Sequence, residues 1–147
     1  AVLTHLKGAS VVIKAAAVSD FRPKSVSLQK MKKAETSTSL TLEKTDDILS
    51  EIGRKKRDGI LLGFAAETEN VVANAQKKLK EKNLDLIIVN DVTKPGAGFG
   101  QDTNQVKILF RSGEVKDLPL MSKEEVSQSI LDEVGKLLKQ KKGPRKK

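Results

Sequence analysis

The sequence predicts an α/β fold, a Rossmann-like parallel sheet flanked by helices with a C-terminal β-hairpin and helix. Three observations predict it. Val11 to Ala17, Ile60 to Ala66 and Leu84 to Val89 are short, nearly continuous aliphatic runs, as expected of parallel strands covered on both faces. Between the last two, Val71, Val72, Ala75 and Leu79 recur at helical spacing from about Thr68 to Lys82. Strand, helix and strand in that order form a crossover unit, which is right-handed in nearly every known case.

The remaining elements follow in chain order. Ala1, Val2, Leu3 and Leu6 read like the end of a helix whose beginning is missing, and the chain opens on Ala1 rather than Met, as a fragment would. Leu40 to Leu42 is a short strand candidate. Thr45 is placed to cap a helix whose first turn holds Asp46 and Asp47, where acids suit the positive end of the dipole, with Ile48, Leu49 and Ile52 facing the core. Val106 to Phe110 and Val115 to Leu118 flank Ser112-Gly113 and predict an antiparallel hairpin. Ser122 and Glu125 form a capping box ahead of Val126, Ile130, Val134, Leu137 and Leu138.

The 147 residues suit one domain, and with 37% apolar but only 3% aromatic residues, aliphatics and alanine must build its core. The absence of cysteine excludes disulfides and thiolate metal sites. His5 is the single histidine, so a multi-histidine metal centre is excluded and a catalytic triad has that residue alone to draw on. No apolar run approaches the roughly 20 residues that span a bilayer, and Ala1 to Ser10 lack a secretory apolar stretch, so a cytoplasmic location without a membrane partner is expected. The formal charge is +9, and five lysines and one arginine between Lys139 and Lys147 supply +6 of it. Residues 1–138 read as the domain and 139–147 as a basic disordered tail. A nucleic-acid-binding module acting through that tail is an alternative, but the body carries only +3 and no interleaved aromatics.

Ligands of open parallel sheets bind at the carboxyl ends of the strands. The first strand runs into Ser19, Asp20, Phe21 and Arg22, the second through Gly63 and Phe64 into Glu67, and the third into Asn90 and Asp91 before a glycine-rich stretch (Pro95, Gly96, Gly98, Gly100). A turn or cap role competes with ligand contact at any one of these, Asp91 included. Lys30-Met31-Lys32-Lys33 reads either as a solvated cluster or as point charges for a polyanion such as a triphosphate. Lys78 and Lys82, four apart on a helix, point the same way and suit phosphate oxygens, although solvent-facing charges would have the same spacing. Neither a GxxxxGK[ST] loop nor a GxGxxG fingerprint occurs.

Taken together, these segments resemble phosphopantothenoylcysteine synthetases (phosphopantothenate–cysteine ligases). Ala15 to Pro23 resembles their AAVxDxRP segment and Lys30 to Lys33 their KxKK motif, with Met31 where isoleucine is usual. Gly63 to Thr68 matches GFAAET in full, Asn83-Leu84-Asp85 and Asn90-Asp91-Val92 resemble the NLD and NDV segments, and Phe99 to Asn104 resembles FxxDxN. The resemblance implies a ligase of coenzyme A biosynthesis, often fused behind a flavin-dependent decarboxylase, which alone would bring FMN. The carboxylate of 4′-phosphopantothenate attacks the α-phosphate of CTP, accompanied by Mg²⁺, and cysteine then displaces CMP from the acyl-cytidylate. An ATP-using relative is the alternative within the same class.

The same resemblance implies roles for particular residues. Lys30 would stabilise the acyl-cytidylate and triphosphate, and Lys78 and Lys82 would bind phosphates. Asp20 and the backbone of Lys14, Ala15 and Ala16 would contact the nucleotide, Asp46, Asp47, Ile48 and Leu49 would read the cytosine edge through their backbone, and Phe64 would meet the base. Asn90 is expected near the reacting groups, whereas metal ligands are not identified. The family's glycine-rich opening, with an asparagine acting on the acyl intermediate, lies upstream of the position equivalent to Ala1. The chain is therefore expected to hold the nucleotide half of a site, able to bind CTP without turnover, in a homodimer with the KxKK segment near the interface.

Overall fold

Runs of β-branched and leucine side chains pair first with one another, because a strand buried on both faces has no polar face to offer water. A computed structural model of the chain describes residues 1–30, 39–56, 58–93 and 100–141. It divides into two compact units, one of Ala1–Ala15 with Leu49–Lys147 and one of Ala16–Ile48. After a 3₁₀ turn over Leu3–His5, the elements are β1 (Val11–Lys14), β2 (Phe21–Pro23), β3 (Leu42–Lys44), α1 (Ile48–Lys55), β4 (Ile60–Glu67), α2 (Val71–Glu81) and β5 (Leu86–Asp91). They continue with β6 (Thr103–Asn104), β7 (Val106–Phe110), β8 (Val115–Asp117), β9 (Met121–Ser122) and α3 (Lys123–Lys141).

The larger unit is built on a five-stranded sheet in the order β1-β4-β5-β7-β8. β1, β4 and β5 are parallel, and the β7–β8 hairpin adds two antiparallel strands. This is the α/β sheet with C-terminal hairpin and helix that the aliphatic runs predict. On one face Ile60, Leu62, Leu86, Ile88, Val106 and Ile108 pack against Val126, Ile130 and Val134 of α3. Alternation sends Leu61, Ile87 and Val89 to the other face, where α1 and α2 bury Leu49, Ile52, Ala75 and Leu79. Each fully buried aliphatic of this kind stabilises by roughly 2 kcal/mol. β6 and β9 form a separate two-stranded ladder. In the second unit, β2 and β3 pair antiparallel, with Phe21, Arg22 and Pro23 opposite Lys44, Glu43 and Leu42.

Several boundaries differ from the sequence expectation, each for a local reason. β1 ends at Lys14 rather than Ala17. The second helix starts at Val71, because Asn70 sits in the left-handed region at φ 46°. The short strand lies at Leu42–Lys44 instead of Leu40–Leu42, in register with β2, which periodicity did not single out. Thr45 does not start the helix: its hydroxyl donates to the Ser19 carbonyl at 2.6 Å. α1 begins at Ile48, so Asp46 and Asp47 precede it, and Glu51 is the acid of its first turn. The Ser122–Glu125 capping box is present in both directions, with the Glu125 N–H donating to Ser122 Oγ at 3.2 Å and the Ser122 N–H to Glu125 Oε2 at 2.9 Å. α3 runs through Lys141, three residues into the stretch expected to be tail, while 142–147 lie outside the described residues.

Lys141 continues the helix because its ammonium has a destination. It donates to Asp85 Oδ1 and to the Gly59 carbonyl, both at 3.1 Å. Asp85, 8% exposed, also accepts from Lys56 Nζ and from the Leu61 N–H at 2.8 Å. One carboxylate thus joins the end of α1, the start of β4, the start of β5 and the end of α3. Burial pushes its pKa up, but hydrogen bonds from Lys56, Leu61 and Lys141 outweigh that and hold it below the usual carboxylate range. Across the same sheet end, Arg111 Nε donates to the Leu84 carbonyl at 2.9 Å. Nearer the hairpin, Glu133 of α3 accepts from Lys116 of β8 at 2.7 Å and from Lys136 at 2.9 Å.

Because the Asp85 pKa is depressed on folding, the stability it contributes is present above its unfolded value, about 4, and is lost as pH falls through the folded value. Asp85→Asn should lower unfolding stability by about 3 kcal/mol at neutral pH, since it leaves Lys56 buried without a counter-charge. Urea melts between pH 7 and pH 3 should also show a flatter acid limb for the variant than for the wild type.

Candidate functional site

The parallel strands end unevenly at their carboxyl ends. β1 pairs with β4 only over Ile60–Gly63, the last pair being Lys14 with Gly63. β4 continues through Phe64–Glu67, paired with β5 as far as Ala66 with Asn90 and Glu67 with Asp91. Among the described residues, no strand flanks Phe64–Glu67 on the β1 side. The result is a notch at the carboxyl ends of the strands, bordered by Lys14 and Ala15 where β1 ends and by the second half of β4. Open α/β sheets take ligands outside the carboxyl ends of their strands.

Alternation assigns the residues around the notch to two faces. Phe64 shares the face of Ile60 and Leu62 beneath α3 and is 41% exposed. Gly63 and Glu67 share the opposite face with α1 and α2. A Cβ on Gly63 would stand 2.8 Å from Leu49 Cδ2, so the missing side chain is what lets α1 lie close on β4. Glu67 accepts from Lys78 Nζ at 2.6 Å and from Asn74 Nδ2 at 3.3 Å. A ligand touching both Phe64 and Lys78 therefore has to cross the rim at the notch. At the end of β5, Asn90 Oδ1 is sealed from solvent, and Asp91 Oδ1 accepts from the Thr93 hydroxyl at 2.6 Å and N–H at 3.2 Å.

Of the residues expected at a site, Lys14, Ala15, Leu49, Phe64, Lys78, Lys82 and Asn90 belong to the larger unit. Ala16, Asp20, Lys30, Asp46, Asp47 and Ile48 belong to the second. Within the larger unit, Lys14 ends β1, Phe64 is the first residue of β4 beyond its pairing with β1, Asn90 is next to last in β5, and Lys78 is tied to Glu67 at the end of β4. Lys82 is one turn beyond Lys78, at the C-cap of α2, where its N–H donates to the Lys78 carbonyl at 3.0 Å. In the second unit, the Asp20 carbonyl accepts from the Thr45 N–H at 3.0 Å, and Lys30 is exposed beyond β2. Met31, Lys32 and Lys33, and the glycine-rich stretch from Pro95 to Phe99, lie outside the described residues.

Two residues that shape this unit carried weak signals in the sequence. Glu67 stood out only as a polar residue at a strand end, and its pairing with Lys78, eleven positions on, depends on how α2 folds back. Asp85 was visible only within a short motif. Position of α2 depends in turn on Gly53 of α1, where a Cβ would meet the Lys82 carbonyl oxygen at 2.0 Å and where the Gly53 carbonyl accepts from Asn83 Nδ2 at 2.8 Å.

That contact yields a paired expectation. Gly53→Ala should destabilise by about 3 kcal/mol, because backbone must move to admit the methyl group and this outweighs the helix preference of alanine, about 1 kcal/mol. Gly135→Ala, in α3 with open space around its Cβ, should stabilise by about 0.5–1 kcal/mol. Urea denaturation of both variants checks the pair.

Comparison with known proteins bears on the fold and the family. Coenzyme A biosynthesis bifunctional protein CoaBC of Bacillus subtilis (strain 168) is 53% identical over 140 residues, which are 95% of this chain and 34% of that protein. The protein of the same description from Escherichia coli (strain K12) is 38% identical over 138 residues, 91% of this chain and again 34% of the relative. The chain thus spans about a third of the length of the curated relatives it matches. The crystal structure of the C-terminal domain of coenzyme A biosynthesis bifunctional protein CoaBC superposes with a TM-score of 0.76 at 40% identity, covering 95% of this chain and 60% of that one. The sequence profile of one family matches residues 1–138, nearly the whole of the described fold, and the chain belongs to that family, the DNA/pantothenate metabolism flavoprotein C-terminal domain.

Proposed function

We propose that this chain supplies the nucleotide-binding part of a ligase of coenzyme A biosynthesis, which joins 4′-phosphopantothenate to cysteine at the expense of CTP. The likeness to the bifunctional coenzyme A biosynthesis proteins supports the pathway. What supports the nucleotide role most is the notch, where Lys14 ends β1, Phe64 is the first residue of β4 past that pairing and Asn90 lies near the end of β5, with Lys78 tied to the end of β4.

In this reading a carboxylate oxygen of 4′-phosphopantothenate attacks the α-phosphorus of CTP, and pyrophosphate leaves. The amine of cysteine then attacks the acyl carbon, the bond to the cytidylate oxygen breaks, CMP departs, and the amine gives up a proton as the amide forms. A carboxylate becomes an acyl donor only when its oxygen belongs to a good leaving group, so positioning and charge neutralisation carry most of the catalysis. Lys78 and Lys82 bind phosphates, Lys30 stabilises the acyl-cytidylate, and Asn90 stands near the reacting groups. Lys14, Ala15, Ala16 and Asp20 contact the nucleotide, Phe64 meets the base, and the backbone of Asp46, Asp47, Ile48 and Leu49 reads the cytosine edge. Magnesium belongs to the substrate, as MgCTP.

The proposal extends to a cytoplasmic homodimer acting beside a flavin-dependent decarboxylase. Val18, Phe21, Val26, Leu28, Leu40 and Leu42 of the second unit are exposed apolar side chains that a second copy would cover.

MgCTP should raise the melting temperature of the chain more than MgATP does. The stabilisation should follow mass action, about 2.7 kcal/mol at a hundredfold excess over the dissociation constant. No shift with either nucleotide overturns the reading, and a larger shift with MgATP overturns the CTP preference. Lys30→Ala in the complete enzyme should lose turnover while melting at the wild-type temperature; unchanged turnover removes Lys30 from the mechanism.

A further inference from the structure

We infer that Glu67 is a positioning residue for the nucleotide phosphates, acting through Lys78. The inference rests on the nucleotide reading proposed above and identifies what holds its phosphate-binding lysine in place. The Glu67 side chain is only 11% exposed, at the end of β4, whereas that of Lys78 remains 42% exposed. Its two carboxylate oxygens are used separately: Oε1 accepts from Lys78 Nζ at 2.6 Å and Oε2 from Asn74 Nδ2 at 3.3 Å. Asn74 Nδ2 also donates to the Glu69 carbonyl at 3.0 Å, which fixes the amide across the turn leading into α2. Asn74 and Lys78 are one turn apart on α2, so a single carboxylate grips two successive positions of one helix face.

Two effects of Glu67 on a bound phosphate oppose each other. Its negative charge repels the phosphate, and its hydrogen bond removes the rotamer freedom that a long lysine side chain would otherwise lose on binding. An ammonium has three N–H donors, and the geometry commits one to Glu67 while the outer part of the group stays open to an anion. The phosphate then meets Lys78 on the side away from the carboxylate, at a distance where water screens the repulsion. The lysine entropy is the larger quantity, so positioning prevails.

Isothermal titration of the chain with MgCTP, on a double-mutant cycle of Glu67 and Lys78, tests the inference. Glu67→Ala should weaken binding about tenfold. Glu67→Gln, which keeps an acceptor oxygen but not the charge, should weaken it about threefold. In a Lys78→Ala background neither change should weaken binding further, because the effect runs through that ammonium. A general structural role would persist in that background, and such persistence overturns the inference. Unchanged or tighter binding by Glu67→Gln also overturns it, and this variant decides the matter alone should Glu67→Ala melt below the assay temperature. Wild-type chain that binds MgCTP while the cycle is additive defeats the positioning role only. Wild-type chain that binds none defeats the nucleotide reading and this inference with it.

Discussion

One buried carboxylate, Asp85, ties the starts of β4 and β5 to the ends of α1 and α3 at the amino-terminal end of the sheet. Its oxygens collect Lys56 from the end of α1, Lys141 from the end of α3 and the Leu61 N–H of β4, while its own backbone N–H donates to the Leu61 carbonyl at 2.9 Å. Removing such a charge from water is costly, and the cost is offset only when every partner is in place at once. The constraint is therefore all or none. It specifies where two helices end and how two strands start relative to each other. Aliphatic packing alone does not specify this, since leucine and isoleucine faces tolerate small slips.

With the amino ends fixed, the carboxyl ends are free to differ in length. β1 stops after four residues and β4 runs for eight, so the notch is a consequence of strand length set against a common starting line. The two ion pairs at the two ends differ accordingly. At the fixed end, Lys56 and Asp85 are both about nine-tenths buried. At the rim, Glu67 is nearly as buried, but Lys78 keeps much of its surface in water. The first arrangement leaves no room for a ligand to approach the ammonium. The second holds the ammonium from behind and presents its front.

This contrast shows what the sequence made legible. The strands β4 and β5, the helix between them, the β7–β8 hairpin and the capping box at Ser122 were readable because each rests on a local period or a local hydrogen bond. Asn90 was readable as a polar residue at the end of an apolar run, whereas Lys14, inside the first run, stood out only through the family resemblance. Less was readable where partners lie far apart in the chain. Asp85 and Lys141 are fifty-six positions apart, and no periodicity couples them. β2 and β3 pair across a long stretch of sequence, so no period singled out Phe21–Pro23 as a strand, and Thr45 looked like a cap although its hydroxyl is spent on Ser19. Helix boundaries set by left-handed asparagines, at Asn70 and Asn83, are equally silent, because asparagine occurs as readily in turns of other kinds.

Net charge is a poor guide to the chemistry of such a chain, for the same physical reason. The formal +9 suggests a general affinity for polyanions, yet many of the basic side chains are engaged with acids of the fold: Lys55 with Glu51, Lys107 with Asp117, and Lys116 and Lys136 with Glu133, besides the pairs already discussed. A paired ammonium attracts a distant anion weakly, because the dipole it forms with its carboxylate falls off faster with distance than a free charge does. Selectivity for a compact anion then depends on local geometry, on an ammonium held at a fixed point with open donors. The Lys78 ammonium has a nearly buried acid on one side of it, while its side chain keeps much of its surface in water. The same number of lysines spread over exposed surface would bind a polyanion more strongly at low salt and with less discrimination, since such attraction is screened within about 8 Å at physiological ionic strength.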